Sequence, residues 1–197
     1  MKISVVIPLA PSETKHQALI ASLPAEWEII PSQEGSRAKS LNMGAAKATG
    51  DYLWFLHADS QLDATCVPAL HQTITQHPDA LFYFDLAFSR DGLRLMKLNA
   101  LGVRFRSRVL GIPFGDQGLC IGKALFEKLG GFPEGLAYGE DHVFVWRARQ
   151  AGIKLKPTNA TITTSARKYQ AHGWAATTFM HQYLWVKQAW PEWRKYR

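Results

Sequence analysis

A chain of 197 residues with 47% hydrophobic and 20% charged residues has the composition of one globular domain with its own core, which excludes the disordered and collagen-like classes. A net charge of +7 admits nucleic acid, an anionic membrane surface or a polyanionic small ligand such as a nucleotide diphosphate as partner. No run of about eighteen apolar residues is present to span a bilayer, and the two cysteines, Cys66 and Cys120, fit a reduced cytoplasmic protein with neither zinc spacing nor a disulfide framework.

The apolar run at residues 3–9 reads as a buried strand. Pro8 to Glu13 turns the chain, with Ser12 placed to cap a helix over 14–23 whose Ala18, Leu19 and Leu23 share a face. Pro24 stops that helix, and residues 27–30 form a second strand. The opening is therefore a βαβ unit with parallel pairing and a right-handed crossover. A short loop leads to a helix over 37–49, with Ser36 as N-cap, a buried face of Ala38, Leu41, Ala45 and Ala48, and Gly50 as the left-handed residue past its end. Arg37 and Lys39 occupy its first turn, where the helix dipole disfavours cations. Free N–H groups and these two cations would suit a bound anion; a solvated surface turn is the competing reading.

Tyr52 to His57 is a run of six bulky residues, short for a helix and typical of a strand covered on both faces. It ends at Asp59. Ligands of open α/β sheets bind at the carboxyl ends of strands, so Asp59 and His57 are candidates for chemistry, against the plainer reading of an Asp-Ser turn. A helix over 65–76 and an aromatic strand over 80–88 follow. Residues 94–110 mix Arg94, Lys97, Arg104, Arg106 and Arg108 with Leu95, Leu98, Leu101, Val103 and Phe105. Such a segment suits an anionic membrane surface or a helix packed on the domain. Gly115-Asp116-Gln117-Gly118 leads into a short strand. A helix over 123–129 ends at Gly130-Gly131. Glu140 and Asp141 open a helix over 140–151, where paired carboxylates suit the dipole. Short strands at 153–156 and 160–164 flank Pro157, and a last helix over 174–190 stops at Pro191 before an aromatic, basic tail.

Taken together, these residues resemble the family 2 glycosyltransferases of the GT-A fold. The opening ISVVIPL is similar to the family's first strand. SRAKSLNMGAAKATGDYLWFLHADS is similar to its Arg/Lys-x-x-x-Asn-x-Gly, Thr-Gly-Asp and Asp-x-Asp block. GDQGLCIGKALFEKLGGFPE resembles its acceptor-side strand, helix and Gly-Gly-Phe turn, and YGEDHVFVWRARQAG its Glu-Asp helix. The His-Ala-Asp, Gly-Asp-Gln-Gly and Thr-Ser-Ala-Arg forms look most like a small bacterial subfamily sometimes linked to arsenosugar biosynthesis.

The resemblance implies a single α/β domain over 1–197, with a mixed, mostly parallel Rossmann-like sheet flanked by helices. It implies a shortened nucleotide-sugar half at 1–60, an acceptor half at 61–165 and a C-terminal amphipathic helix and tail at 166–197. The activity implied is inverting transfer of a sugar from a nucleotide-sugar donor to a hydroxyl acceptor, assisted by Mg²⁺ or Mn²⁺. Asp141 matches the general base, with Glu140 beside it. Pro8, Ala10, Glu13, Arg37, Lys39, Asn42, His57 and Asp59 fall on the donor side, and Asp116, Gln117 and Arg167 on the acceptor side. Asp59 would hold the metal, with His57, His172 or His181 as further ligands. The acceptor would be soluble or lipid-linked, and the protein cytoplasmic, resting peripherally on the inner face of the cytoplasmic membrane. No nucleic-acid reader motif is present.

Two departures stand out. His57 replaces the first Asp of the Asp-x-Asp motif. The Asp-Asp-Gly-Ser-x-Asp loop that follows the family's second strand, with the helix and strand after it, has no counterpart, which leaves Glu28 and Glu34 as the carboxylates nearby. The alternative function is a non-catalytic relative that binds an anionic membrane surface or lipid head group.

Overall fold

Five of the six residues of β1 (Ile3–Pro8) are buried, and the strand has a hydrogen-bonded neighbour on each side. The computed structural model describes residues 1–11, 13–14, 16–89, 95–166, 169 and 173–196, the last by its backbone alone. The other strands are β2 (Glu28–Ser32), β3 (Tyr52–Phe55), β4 (Gln61–Leu62), β5 (Leu81–Phe88), β6 (Cys120–Gly122) and β7 (Leu155–Thr164), in the sheet order β2-β1-β3-β6-β5-β7-β4. Among the described residues β1 pairs parallel with β2 and β3, and β5 with β7. β6 runs antiparallel to β3 and β5, and β4 antiparallel to β7. The fold is a single α/β domain of GT-A-like form. Its sheet is mixed and mostly parallel, as expected: β1, β2, β3, β5 and β7 run one way, and β6 and β4 run against them.

Helices α1 (His16–Ala21), α2 (Arg37–Lys47), α3 (Cys66–Gln76), α4 (Met96–Arg108), α5 (Lys123–Lys128), α6 (Glu140–Gln150) and α7 (Trp174–Tyr196) surround the sheet. Alternate side chains of a strand point to opposite faces, and two cores result. On one face Ile7, Trp54, Leu56 and Phe84 meet Leu19 of α1 and Leu70 and Ile74 of α3. On the other, Val6, Leu53, Phe55 and Tyr83 meet Leu41 of α2, Phe126 of α5 and Phe144 of α6. Both faces of β3 are thus covered, as its unbroken apolar run requires.

Local chemistry accounts for most boundaries. The Ser36 hydroxyl accepts from Lys39 N at 3.2 Å and caps α2. The cap expected of Ser12 lies outside the described residues. Gly50 is needed for a different reason from the one expected. Its φ is not in the left-handed region, but a Cβ there would stand 2.6 Å from Ser4 Oγ and 2.9 Å from Lys2 O. The two strands expected around Pro157 are one, β7. A bulge sets Asp85 opposite Thr161 after Tyr83 opposite Pro157, with Asn159 at φ 63°, so the surplus residues are absorbed without breaking the strand. Pro191 lies inside α7 and does not end it. Pro191 and Lys187 are both exposed, so the carbonyl that loses its N–H partner faces solvent.

Candidate active site

Only four residues, Gln33 to Ser36, separate β2 from α2. This places Arg37, the first residue of α2, at the carboxyl edge of the sheet. Its guanidinium forms an ion pair with Glu140 and meets the His57 ring, so the first turns of α2 and α6 are clamped across the end of β3. Glu140 is buried while Arg37 keeps about a third of its side chain in solvent. Lys39 is exposed.

The 3-10 turn Gly115–Gln117 carries the second half of the cluster. Gly115 N donates to Asp141 Oδ2 at 2.6 Å, and His142 N donates to Asp141 Oδ1 at 2.8 Å. A Cβ on Gly115 would stand 2.7 Å from both Asp141 Oδ2 and Arg37 Nη2, so this bare backbone is the meeting point of the cation and the carboxylate. Burial alone would raise the Asp141 carboxyl. The Arg37 charge, the two N–H bonds and the neighbouring His57 outweigh it and hold the group below its ordinary value. Asp116 goes the other way. Burial pushes its carboxyl up, Arg106 pulls it part of the way back, and its Oδ1 is enclosed without a hydrogen-bond partner.

Arg106 and Phe114 were not singled out as site residues by the sequence reading. The Arg106 guanidinium lies 3.5 Å over the Phe114 ring and donates from Nε to Ile112 O at 3.0 Å. Burial lowers its basicity, while Asp116 and Asp141 oppose that change. The other arginines of α4 behave differently. Arg108 is bidentate on Asp85 at 2.8 and 3.0 Å, and Arg104 approaches the same carboxylate at 3.8 Å. One signal was available: a basic residue two positions from each of two others on a helix must leave their face.

Several expected site residues have structural tasks. Gln117 is fully buried. It donates to Phe84 O at 2.8 Å and Ser107 Oγ at 3.0 Å, and accepts from Phe114 N and Arg106 Nη2. Asn42 clamps the Gly131–Phe132 turn, accepting from Phe132 N and donating to Phe132 O, both at 2.9 Å. Glu28 is bound by Ser4 and Thr49 at the amino end of β1, away from the carboxyl edge, and Glu34 pairs with Lys47 at 3.4 Å. Pro8 and Glu13 are half-buried and Ala10 is exposed at the carboxyl edge of β1. Arg167 and His172 lie outside the described residues, and His181 lies on α7, 3.2 Å from the Tyr169 hydroxyl.

Asp59 lines a cleft of about 510 Å³ on the α1 side of the sheet, with Ser22, Gln61, Ser89 and Ser165. Arg37 and Asp141 do not line this cleft. The described residues also fail to build a cage for Mg²⁺ or Mn²⁺. No three of them with His, Cys, Asp or Glu side chains converge, Asp59 is a single carboxylate, and the Nε2 of His57 is turned to Arg37.

The model of Glycosyl transferase family 2 matches residues 12–128. The fold resembles that of S. aureus TarS 1–349, with a TM-score of 0.63 at 16% identity over 84% of this chain and 60% of that one. The same TarS region in complex with UDP gives 0.59 at 15% identity over 84% and 61%, and in complex with UDP-GlcNAc 0.56 at 15% over 84% and 58%. At such identities the likeness is one of fold. The chain spans 60% of TarS 1–349 and 37% of a longer TarS chain. A comparison with curated proteins finds no significant match. The family match does not single out the subfamily linked to arsenosugar biosynthesis. It does cover more than half of the sequence, and on that ground the chain belongs to glycosyl transferase family 2.

Proposed function

We propose that the protein transfers a sugar from a nucleotide-sugar donor to a hydroxyl acceptor by a single inverting displacement. The observation that carries this is the convergence on Gly115 of Arg37 from α2, His57 from the end of β3 and Asp141 from α6. A departing nucleoside diphosphate needs positive charge where its own negative charge develops. Arg37, beside the N–H groups of the α2 N-terminus, supplies it. The acceptor hydroxyl must lose a proton as it attacks. Asp141, kept ionised by Arg37 and two backbone N–H groups, receives it. TarS has been solved with UDP and UDP-GlcNAc, so a uridine diphosphate sugar is the first donor to offer.

The competing reading, a non-catalytic relative that binds an anionic membrane surface or lipid head group, rests on the short β2–α2 connection, the basic segment at 94–108 and the tryptophan-rich C-terminus. It leaves the buried charges unexplained. Gathering buried Glu140 with half-buried Asp141 and Arg106 is costly and is common where chemistry is done. The test is donor turnover and thermal shift across a panel of nucleotide sugars, with and without a hydroxyl acceptor. Asp141→Asn is expected to abolish transfer while leaving the donor-induced thermal shift intact. No shift and no turnover with any nucleotide sugar would overturn the proposal.

A further inference from the structure

α4 and α7 leave apolar faces in solvent. On α4 and its cap, Leu98, Leu101, Phe105 and Val109 follow one another at helical spacing, and on α7 so do Phe179, Tyr183, Val186 and Trp190. Each of these eight side chains is between 54 and 75% exposed. The two helices are joined near their first turns. Asn99 of α4 accepts from Trp174 Nε1 at 3.0 Å and donates to Thr178 Oγ1 at 3.2 Å. At the other end, Leu110 and Ile112 share an apolar groove of about 300 Å³ with Val186, Trp190 and Trp193. Both stripes thus lie exposed on helices that meet at Asn99.

Charge selects the occupant. α4 has no acidic residue, and the only one on α7, Glu192, is buried and paired with Lys195 at 2.8 Å. The exposed basic residues flanking the stripes include Lys97, Lys187 and Arg194, with Arg194 over the Trp190 ring at 5.0 Å. A second copy would bring the same positive rim against itself, on a chain of net charge +7. An anionic bilayer complements both features, the apolar stripes entering the acyl boundary and the cations meeting the head groups. Tryptophan and tyrosine favour that boundary, and four of the seven tryptophans, Trp174, Trp185, Trp190 and Trp193, lie on α7. Among the described residues no helix is long and apolar enough to cross a membrane, so the contact would be peripheral.

We infer that the paired α4–α7 face docks the protein on an anionic lipid surface. This does not rest on the transferase reading. The experiment is sedimentation with vesicles of phosphatidylcholine alone and of phosphatidylcholine containing phosphatidylglycerol, alongside size-exclusion chromatography of the free protein. Binding to the anionic vesicles is expected to be about tenfold or more tighter and to weaken with salt. Phe105→Glu with Phe179→Glu should remove it without lowering the melting temperature, and Lys97→Glu with Lys187→Glu should weaken it in anionic vesicles alone. Equal binding to neutral vesicles, or binding unaffected by these pairs, overturns the inference. So does a dimer in solution that the Phe105→Glu, Phe179→Glu pair converts to monomer while no vesicle binding is seen.

Discussion

The most direct perturbation of the candidate site adds one methyl group to Gly115. Its φ is outside the left-handed region, so the backbone accepts alanine and the effect comes from space alone. The new Cβ would stand 2.7 Å from Arg37 Nη2, 2.7 Å from Asp141 Oδ2 and 3.2 Å from Asp141 Cβ. Neither neighbour retreats freely, since Arg37 is held by Glu140 and His57, and Asp141 by His142 N. The methyl must therefore lever the carboxylate off Gly115 N, breaking a bond of 2.6 Å. Hydrogen bonds to charged groups are worth about 1.5–3 kcal/mol. Lost from the placement of the base in the transition state, that is about ten- to a hundredfold in kcat/KM. Gly102→Ala is the matched control: nothing lies within 4 Å of its Cβ in α4, and it should gain about 0.5–1 kcal/mol of stability with unchanged activity. The assay is steady-state transfer to acceptor for both variants, with urea unfolding alongside. Wild-type kcat/KM in Gly115→Ala would refute the claim that Arg37, Gly115 and Asp141 meet at the reacting centre.

Other outcomes follow from the same geometry. Gln117→Leu strands Phe84 O, Phe114 N and one end of Arg106; at about 1–3 kcal/mol for each buried group left unpaired, urea unfolding should show a loss of several kcal/mol. Glu28 is held below its ordinary 4.5, chiefly by the Ser4 hydroxyl bond, with burial opposing and Thr49 assisting. A depressed folded value means that its contribution is present above the unfolded value and fades as pH falls through the folded one. Glu28→Gln should therefore be less stable than wild type at pH about 7, and the gap should narrow as pH falls below the ordinary 4.5, as measured by urea midpoints. Burial raises Cys66 to about 12 and Cys120 further, so neither thiol should react with Ellman's reagent in the native protein at mildly alkaline pH. Both should react in denaturant.

The parts of the fold legible in the sequence are those whose cause is local. β1 and β3 show themselves as unbroken apolar runs because both their faces are covered. α2 shows itself through Ser36 and its alanine stripe. What was hidden depends on distant partners. β4 is two residues long and exists because Gln61 and Leu62 pair with Thr163 and Ile162. The β7 bulge is a register event against β5, and nothing near Pro157 announces it. Pro191 looked like a stop because the sequence does not say that Lys187 O faces solvent. Asp141 and Glu140 could be singled out by resemblance and by their place at a helix start. The separate fates of Arg104, Arg106 and Arg108 follow from which side of α4 meets Asp85 and which meets Phe114, and periodicity cannot name a partner.

The shortened link between β2 and α2 has a structural consequence that bears on the site. With four residues between the elements, Arg37 begins its helix close enough to the end of β3 to touch His57 and to reach Glu140 on α6. Arg37 pulls both neighbouring carboxylates down, and the rest of their surroundings sets them apart. Asp141, next to Arg37 and two N–H donors, is held down and ionised. Asp116, enclosed and without a partner at Oδ1, is pushed up. Under the proposed transfer, that difference leaves Asp141 ionised and able to accept the acceptor's proton. The short connection thus delivers Arg37 beside both carboxylates, while burial of Asp116 and the N–H donors on Asp141 set the two apart.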